Sequence, residues 1–231
     1  MFSSRLVSSL AIAAVVAACA AQGAAENPVS RVATWFDYVG AGDVRASCGA
    51  GSPNHYRFVY NAIYSEQVRA YEVTQNPVLS GGTVDARAMP TLNLAQVNVA
   101  SLDIFIHGAI SRQQLSAAEL EELDRALAAD ADAYAAPRDT YLRSDRFYWT
   151  VGACRSGRLY FAAFDDMHPG FEQLHFPALL FRHDTTEIKV NLPRRLYNDT
   201  WTMRDYQEHR LDDNRGAPKF LLQVGDNALK R

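Results

Sequence analysis

The sequence predicts an α+β fold: a single antiparallel, curved β-sheet with one long helix, residues 116–135, packed on it and a short helix near the N-terminus. Three observations lead to this prediction. Aromatic and β-branched residues alternate with other residues in several short segments. The connections between those segments are short, which implies antiparallel pairing. The hydrophobic period changes to that of a helix at Ser116.

Two segments have the hydrophobic spacing of helices. Residues 30–39 carry apolar side chains at helical intervals, which predicts the short N-terminal helix. The long helix is predicted because Ser116 and Glu119 have the spacing of a capping box and Pro137 closes the run. Its apolar stripe consists of Leu120, Leu123, Leu127, Ala131 and Tyr134. One face of this helix is therefore suited to burial against the sheet.

Strands are predicted along most of the remaining chain. Residues 56–73 predict two strands with a bend near Ser65. The other predicted strands are residues 82–89, 98–107, 146–154, 158–165, 178–184, 186–192 and 219–224. Residues 146–165 predict a hairpin around Arg-Ser-Gly, and residues 178–192 predict a second hairpin.

The N-terminal residues have the pattern of an export signal. Arg5 precedes an uncharged, mostly apolar run from Leu6 to Ala18. This run is shorter than the roughly 20 apolar residues that a membrane-spanning helix needs, and no later segment approaches that length. The pattern is typical of a secretory signal, so we expect the protein to be exported.

The end of this run, Val16-Ala17-Ala18-Cys19, resembles the lipobox of bacterial lipoprotein precursors. The resemblance covers only residues 1–20. It implies that the signal is cut before Cys19 and that this cysteine carries the lipid anchor. The side chain would be diacylated and the new N-terminal amine acylated, with palmitate among the acyl groups. Ala20 follows where an aspartate commonly retains such proteins at the inner membrane, so the resemblance implies an outer-membrane lipoprotein that faces the periplasm.

The predicted organisation follows from that cleavage. Residues 1–18 are the signal peptide, residues 19–28 are a tether, and residues 29–231 are a single globular domain. The alternative is an ordinary signal peptide cut near Ala18 or Ala25, with Cys19 incidental, which would make the protein soluble in the periplasm or secreted.

Charge excludes some classes of partner. The whole chain has a formal net charge of −3 and no basic cluster. A weakly acidic domain lacks the electrostatic footprint of a nucleic-acid-binding protein, so no nucleic acid is expected. The sequence also contains neither a Walker loop nor a G-x-G-x-x-G motif, and no cofactor is predicted.

Cys48 and Cys154 are expected to form a disulfide. If Cys19 carries lipid, they are the remaining pair among three cysteines, and an oxidising compartment favours a bond between them. The alternatives are two buried free thiols or a reactive redox pair. The second alternative lacks the Cys-x-x-Cys spacing of redox motifs.

One acidic and histidine-containing segment could bind a metal. Asp165, Asp166, His168 and His175 follow a predicted strand, and carboxylates and imidazoles are ligands of divalent metals. A metal there could acidify a water molecule for hydrolysis. The spacing matches no known metal motif, however, and the same residues are suited to a turn.

The segment of residues 193–219 is the candidate contact region. It contains 11 charged residues among 27, and long connections in compact domains are often functional. A short helix over residues 202–211 is the structural alternative. The candidate binding residues are Tyr197, Trp201, Arg204, Tyr206 and Arg210.

These observations favour a non-catalytic, lipid-anchored binding or assembly module of the cell envelope, with an envelope protein as partner. Two alternatives remain. One is a periplasmic metal-assisted hydrolase that uses the acidic and histidine-containing segment. The other is a carrier for a small apolar ligand, in which a curved aromatic sheet face lines a cavity. The arginines that could stand at the mouth of that cavity are Arg57, Arg69, Arg146 and Arg158.

Overall fold

The computed structural model describes residues 36–78, 80–90, 108–196 and 220–230. The chain divides into two units after Tyr38. Residues 36–38 are the described part of the first unit and are helical. The elements below all belong to the second unit. The predicted strand of residues 98–107 lies outside the described residues.

Strands account for most of the regular structure. The nine strands are β1 (His55–Ala62), β2 (Gln67–Gln75), β3 (Gly82–Pro90), β4 (Ala109–Leu115), β5 (Tyr141–Arg143), β6 (Phe147–Arg155), β7 (Arg158–Asp165), β8 (Leu221–Val224) and β9 (Leu229–Lys230). Six of them form one sheet in the order β4-β3-β2-β1-β6-β7, and three form a second sheet in the order β5-β8-β9. Neighbouring strands are antiparallel in both sheets.

The predicted fold, one sheet with one long helix, is therefore wrong. The described part of the chain contains two sheets and several short helices: α1 (Gly42–Ser47), α2 (Ala117–Tyr134), a 3-10 helix (Phe171–Gln173) and α3 (Phe176–Arg182). The second sheet escaped prediction because β5 has three residues and β9 has two. Strands that short show no alternation of apolar and polar residues.

The helix α2 begins as its sequence predicts. The Ser116 hydroxyl accepts a hydrogen bond from the backbone N–H of Glu119, and the Glu119 carboxylate accepts one from the N–H of Ser116. This reciprocal arrangement confirms the capping box. Leu120, Leu123 and Leu127 are buried in the core on the face that packs against the large sheet.

The predicted hairpin of residues 178–192 is wrong. Residues 176–182 form α3, which has a proline in its first turn, and residues 183–196 form no helix or strand. The alternation at residues 187–192 misled the prediction because these residues lie against the sheet through side-chain hydrogen bonds rather than through a strand ladder. Gln67, for example, donates to the carbonyl oxygen of Lys189 over 2.9 Å.

Aromatic side chains form the centre of the core. The rings of Tyr60 and Trp149 stack with centroids 4.6 Å apart, and Trp149 meets Phe176 of α3 edge-on at 5.2 Å. Phe181 of α3 packs against the same group, 5.9 Å from Trp149. Aromatic pairs in these geometries contribute about 0.5–1.5 kcal/mol each beyond their buried area.

The opposite face of β6 holds α1. Cys48 at the end of α1 lies at disulfide distance from Cys154 of β6, with sulfur atoms 2.03 Å apart, as the sequence predicts. Gly152 of β6 allows the close approach, because a Cβ atom at that position would lie 2.0 Å from the Cβ of Ala41. The α-helices in the described ranges are all too short or too polar to cross a membrane.

Candidate functional site

One end of the large sheet gathers charged residues from separate parts of the chain. The β1–β2 connection, the start of β6 and the end of β7 meet there because the strands are antiparallel and Tyr148 pairs with Asp165. We define the charged end as Glu66, Arg146, Asp165, Asp166 and Arg194.

Arg146 and Asp166 form the inner ion pair of the charged end. The Arg146 Nε donates to Asp166 Oδ1 over 3.0 Å, and the two side chains are only 12% and 11% exposed. Burial raises the pKa of Asp166, and the charge and hydrogen bond of Arg146 act in the opposite direction. This pair is therefore a partly desolvated element of the fold rather than a solvated surface pair.

Arg194 and Glu66 form the outer pair. Arg194 donates to the Glu66 carboxylate over 2.6 Å, and its guanidinium lies 5.5 Å from the centre of the Phe147 ring. Asn191 donates to the same carboxylate over 2.7 Å. Asn191 and Arg194 thus attach this segment to Glu66 of the β1–β2 connection, and the cation–π contact attaches it to the start of β6.

Phe220 is fixed to the same connection from the other side. Its ring meets the ring of Tyr64 edge-on, with centroids 4.9 Å apart. Its backbone N–H donates to the Ser144 hydroxyl, and the backbone N–H of Tyr64 donates to the Ser144 carbonyl over 2.7 Å. Arg194 lies near the start of the predicted contact region and Phe220 directly follows its end, and these two residues contact Glu66 and Tyr64 of the same connection.

The candidate binding residues Tyr197, Trp201, Arg204, Tyr206 and Arg210 lie outside the described residues. So does Cys19, the predicted lipidation site.

The four candidate metal ligands are divided among separate partners. Asp165 is 4% exposed; it accepts from the backbone N–H of Met167 over 2.8 Å and lies 2.7 Å from His168 Nδ1. This is the geometry of the turn that the sequence allowed as the alternative. Asp166 pairs with Arg146 instead.

His175 lies with a different carboxylate. Its Nδ1 is 2.7 Å from Asp130 of α2, and the fully buried Asp130 also accepts from the backbone N–H groups of His175 and Phe176. Asp130 therefore caps the start of α3 from another helix. Among the residues that the structure describes, no group of three or more His, Cys, Asp or Glu side chains is arranged to hold a metal ion.

The aromatic sheet face is filled by α3 rather than open to a ligand. Of the four arginines proposed for a cavity mouth, Arg57 is buried against Asp43 and Glu72, and Arg69 is fully buried. Arg146 pairs with Asp166, and Arg158 is exposed on β7.

A shallow cleft does lie between α2 and α3. Leu115, Leu123 and Leu180 are among its lining residues. Glu119 and His183 also line it and lie 3.3 Å apart. The enclosed space is about that of a single water molecule. A cleft of this size holds no drug-sized ligand in the described conformation.

Sequence reasoning missed a buried polar cluster around Arg69. Arg69 of β2 is completely buried and donates to Asp184 and to the carbonyl oxygen of Ile188, while Tyr71 donates to Asp184 over 2.7 Å. Burial would raise the pKa of Asp184, but hydrogen bonds from Thr186 and Tyr71, with the charge of Arg69, lower it below its usual value. The sequence did contain one signal for this cluster, because Arg69 alternates with Tyr71 and Val73 on the apolar face of the predicted strand.

No family model, curated protein or solved structure matches this chain significantly.

Proposed function

We propose that the protein is a lipid-anchored module of the cell envelope, held at the outer membrane through Cys19 and exposed to the periplasm, where it binds an envelope protein without catalysis. The observation that carries the anchor is the pairing of the other cysteines. The chain has three cysteines, and Cys48 and Cys154 lie at bonding distance from each other. Cys19, at the end of the lipobox-like run, is left for acylation. A disulfide is also typical of exported proteins.

We place the contact surface in residues 193–219. The support is twofold. The segment is rich in charged residues interleaved with aromatic ones. Arg194, near its start, and Phe220, directly after its end, both contact the β1–β2 connection. Tyrosine, tryptophan and arginine are the side chains that most often dominate the binding energy of protein interfaces. Tyr197, Trp201, Arg204, Tyr206 and Arg210 are therefore the residues to test.

The anchor is tested by the intact mass of the protein extracted from its native membranes without reductant. We expect the mass of residues 19–231 with acylated Cys19, less two hydrogens for the disulfide. The Cys19→Ser variant should lose the acyl mass and leave the membrane fraction. An unacylated wild-type chain that begins after Ala18 or Ala25 would overturn the anchor, because it would describe a free periplasmic or secreted protein.

The contact surface is tested by deleting residues 199–213. Proteins cross-linked to the wild type in intact cells should be lost from the deletion variant, while the midpoint of thermal unfolding stays nearly unchanged. A second variant replaces Tyr197, Trp201 and Tyr206 by serine. Tyr141→Ser is its matched control, because Tyr141 is 43% exposed in the second sheet. A large fall in stability on deletion would show that the segment is structural.

A further inference from the structure

Among the described strands, β4 lies at one edge of the six-stranded sheet, with β3 as its neighbour. Its seven residues pair with β3 without interruption, from Ala109 opposite Ala88 to Leu115 opposite Gly82. The edge therefore has no β-bulge.

The hydrogen-bonding pattern determines which residues of β4 direct their backbone outward. The N–H of Gln75 donates to Asn54 on the β1 side, and the N–H of Asn76 donates to Gly81 on the β3 side. Along an antiparallel strand, successive residues direct their backbone N–H and C=O groups to alternate sides. The backbone groups of even-numbered residues of β2 therefore point to β3, where they pair with odd-numbered residues. The even-numbered residues of β3 then point to β4, where they pair with odd-numbered residues. Three residues of β4 then face outward: Ile110, Arg112 and Gln114.

In the part of the chain that the structure describes, this edge carries little of the usual protection against strand pairing. Natural edge strands carry charges, prolines or bulges that discourage it. The sequence of β4 has no proline, and its one charged side chain, Arg112, is held by Asp85 of β3 at 2.6 Å. Within the described structure, no hydrogen bond reaches the outward backbone groups of β4. The opposite edge differs, because the N–H of Ala136 donates to Ala163 in the middle of β7.

An exposed row of N–H and C=O groups is complementary to one kind of occupant, an extended polypeptide backbone. A second copy of this chain is a poor occupant. Full antiparallel overlap of two β4 strands across a two-fold axis would place Arg112 directly opposite Arg112 of the second copy, and like charges in that position are destabilising.

We propose that the β4 edge binds an extended segment of another polypeptide by strand addition, as a site separate from the charged end. The segment would bond to the backbone of Ile110, Arg112 and Gln114. Its side chain opposite Arg112 would be neutral or acidic, and an apolar side chain would cover Ile110, which is 57% exposed. Ile110 would add apolar contact area, and the backbone hydrogen bonds would fix the orientation of the bound segment.

The test begins with a photo-cross-linking amino acid at position 110 of the full chain in intact cells, with position 141 as the control. Mass spectrometry of the cross-linked peptide should identify one segment of another protein. A synthetic peptide of that segment is then added to the purified protein. Amide exchange at Ile110, Arg112 and Gln114 should slow by about tenfold or more, as newly formed backbone hydrogen bonds require.

Two variants separate strand addition from adhesion to the surface. Gln114→Pro removes an outward N–H without removing a bond to β3, and Ile110→Lys places a charge beside the added strand. Each should weaken peptide binding by about tenfold or more. Val78→Lys is the control for added charge, since Val78 is 84% exposed elsewhere, and it should bind like the wild type.

Three results would overturn the proposal. They are cross-linking only to a second copy of the chain, the absence of any cross-link specific to position 110, and peptide binding that leaves the three amides unprotected.

Discussion

Arg69 and Asp184 form an ion pair that is almost completely removed from solvent, with side chains 0% and 3% exposed. The two residues are far apart in sequence, and the pair attaches the segment after α3 to β2 of the large sheet. Tyr71 and Thr186 complete the environment of the carboxylate, since Tyr71 donates to Asp184 over 2.7 Å and Thr186 over 2.6 Å. A carboxylate with this many donors is a fixed element of the fold.

Asp184→Asn should destabilise the protein by about 3–5 kcal/mol, because it leaves the buried charge of Arg69 without its partner. Urea unfolding followed by tryptophan fluorescence measures the change. Asp226→Asn is the matched control: Asp226 pairs with Arg138 over 2.8 Å, but both side chains are more than half exposed. That exposed pair should change the free energy of unfolding by less than about 1 kcal/mol. Equal effects of the two substitutions would contradict the structural role of Asp184.

The same carboxylate predicts how stability depends on pH. The pKa of Asp184 is lowered in the folded state, so the stability it contributes is present above the pKa of an unfolded aspartate, about 3.9, and is lost as pH falls through the lower folded value. The difference in unfolding free energy between wild type and Asp184→Asn should therefore be constant at neutral pH and shrink in acid, below about pH 5. Urea titrations at several pH values measure it. A difference that grows in acid would mean that the pKa is raised instead.

The parts of the fold that the sequence predicted have local signals. The capping box of α2 needs only Ser116 and Glu119, and the β6–β7 hairpin needs two alternating segments around Ser156 and Gly157, which both have positive φ. The disulfide was predicted from the number of cysteines together with the expectation of export. Each of these features depends on residues close together in sequence or on residue type alone.

The parts that were mispredicted depend on long-range contacts. Residues 183–196 are held by hydrogen bonds from Tyr60, Gln67 and Arg69, which lie more than 100 positions earlier in the chain. The alternation of apolar and polar residues at 187–192 does not reveal these distant partners. His175 is separated from the other candidate metal ligands for a similar reason. Asp130, which contacts His175, lies on a helix whose sequence pattern indicated only a cap and an apolar face.

Gly152→Ala should destabilise the protein by about 1–3 kcal/mol, because its new Cβ would lie 2.0 Å from the Cβ of Ala41. Ala41 has a φ of +54°, a conformation that glycine adopts without strain. The double variant Ala41→Gly/Gly152→Ala should therefore recover most of the lost stability. A double-mutant cycle from chemical denaturation gives the coupling between the two sites. Simple additivity would show that α1 does not rest on β6 at this point.

Substitutions at Asp130 and His175 test whether His175 has a structural role or binds a metal. Asp130→Ala should destabilise the protein by about 3 kcal/mol or more, because it leaves the backbone N–H groups of His175 and Phe176 at the start of α3 without an acceptor. His175→Ala should cost less than about 1 kcal/mol, since the imidazole is 71% exposed. Thermal unfolding of both variants is measured, with elemental analysis of the wild type, His175→Ala and His168→Ala purified without chelator. A stoichiometric metal in the wild type that disappears on His175→Ala or His168→Ala would favour the metal-assisted hydrolase over a structural role for these histidines, because a cap on α3 has no need of a metal ion.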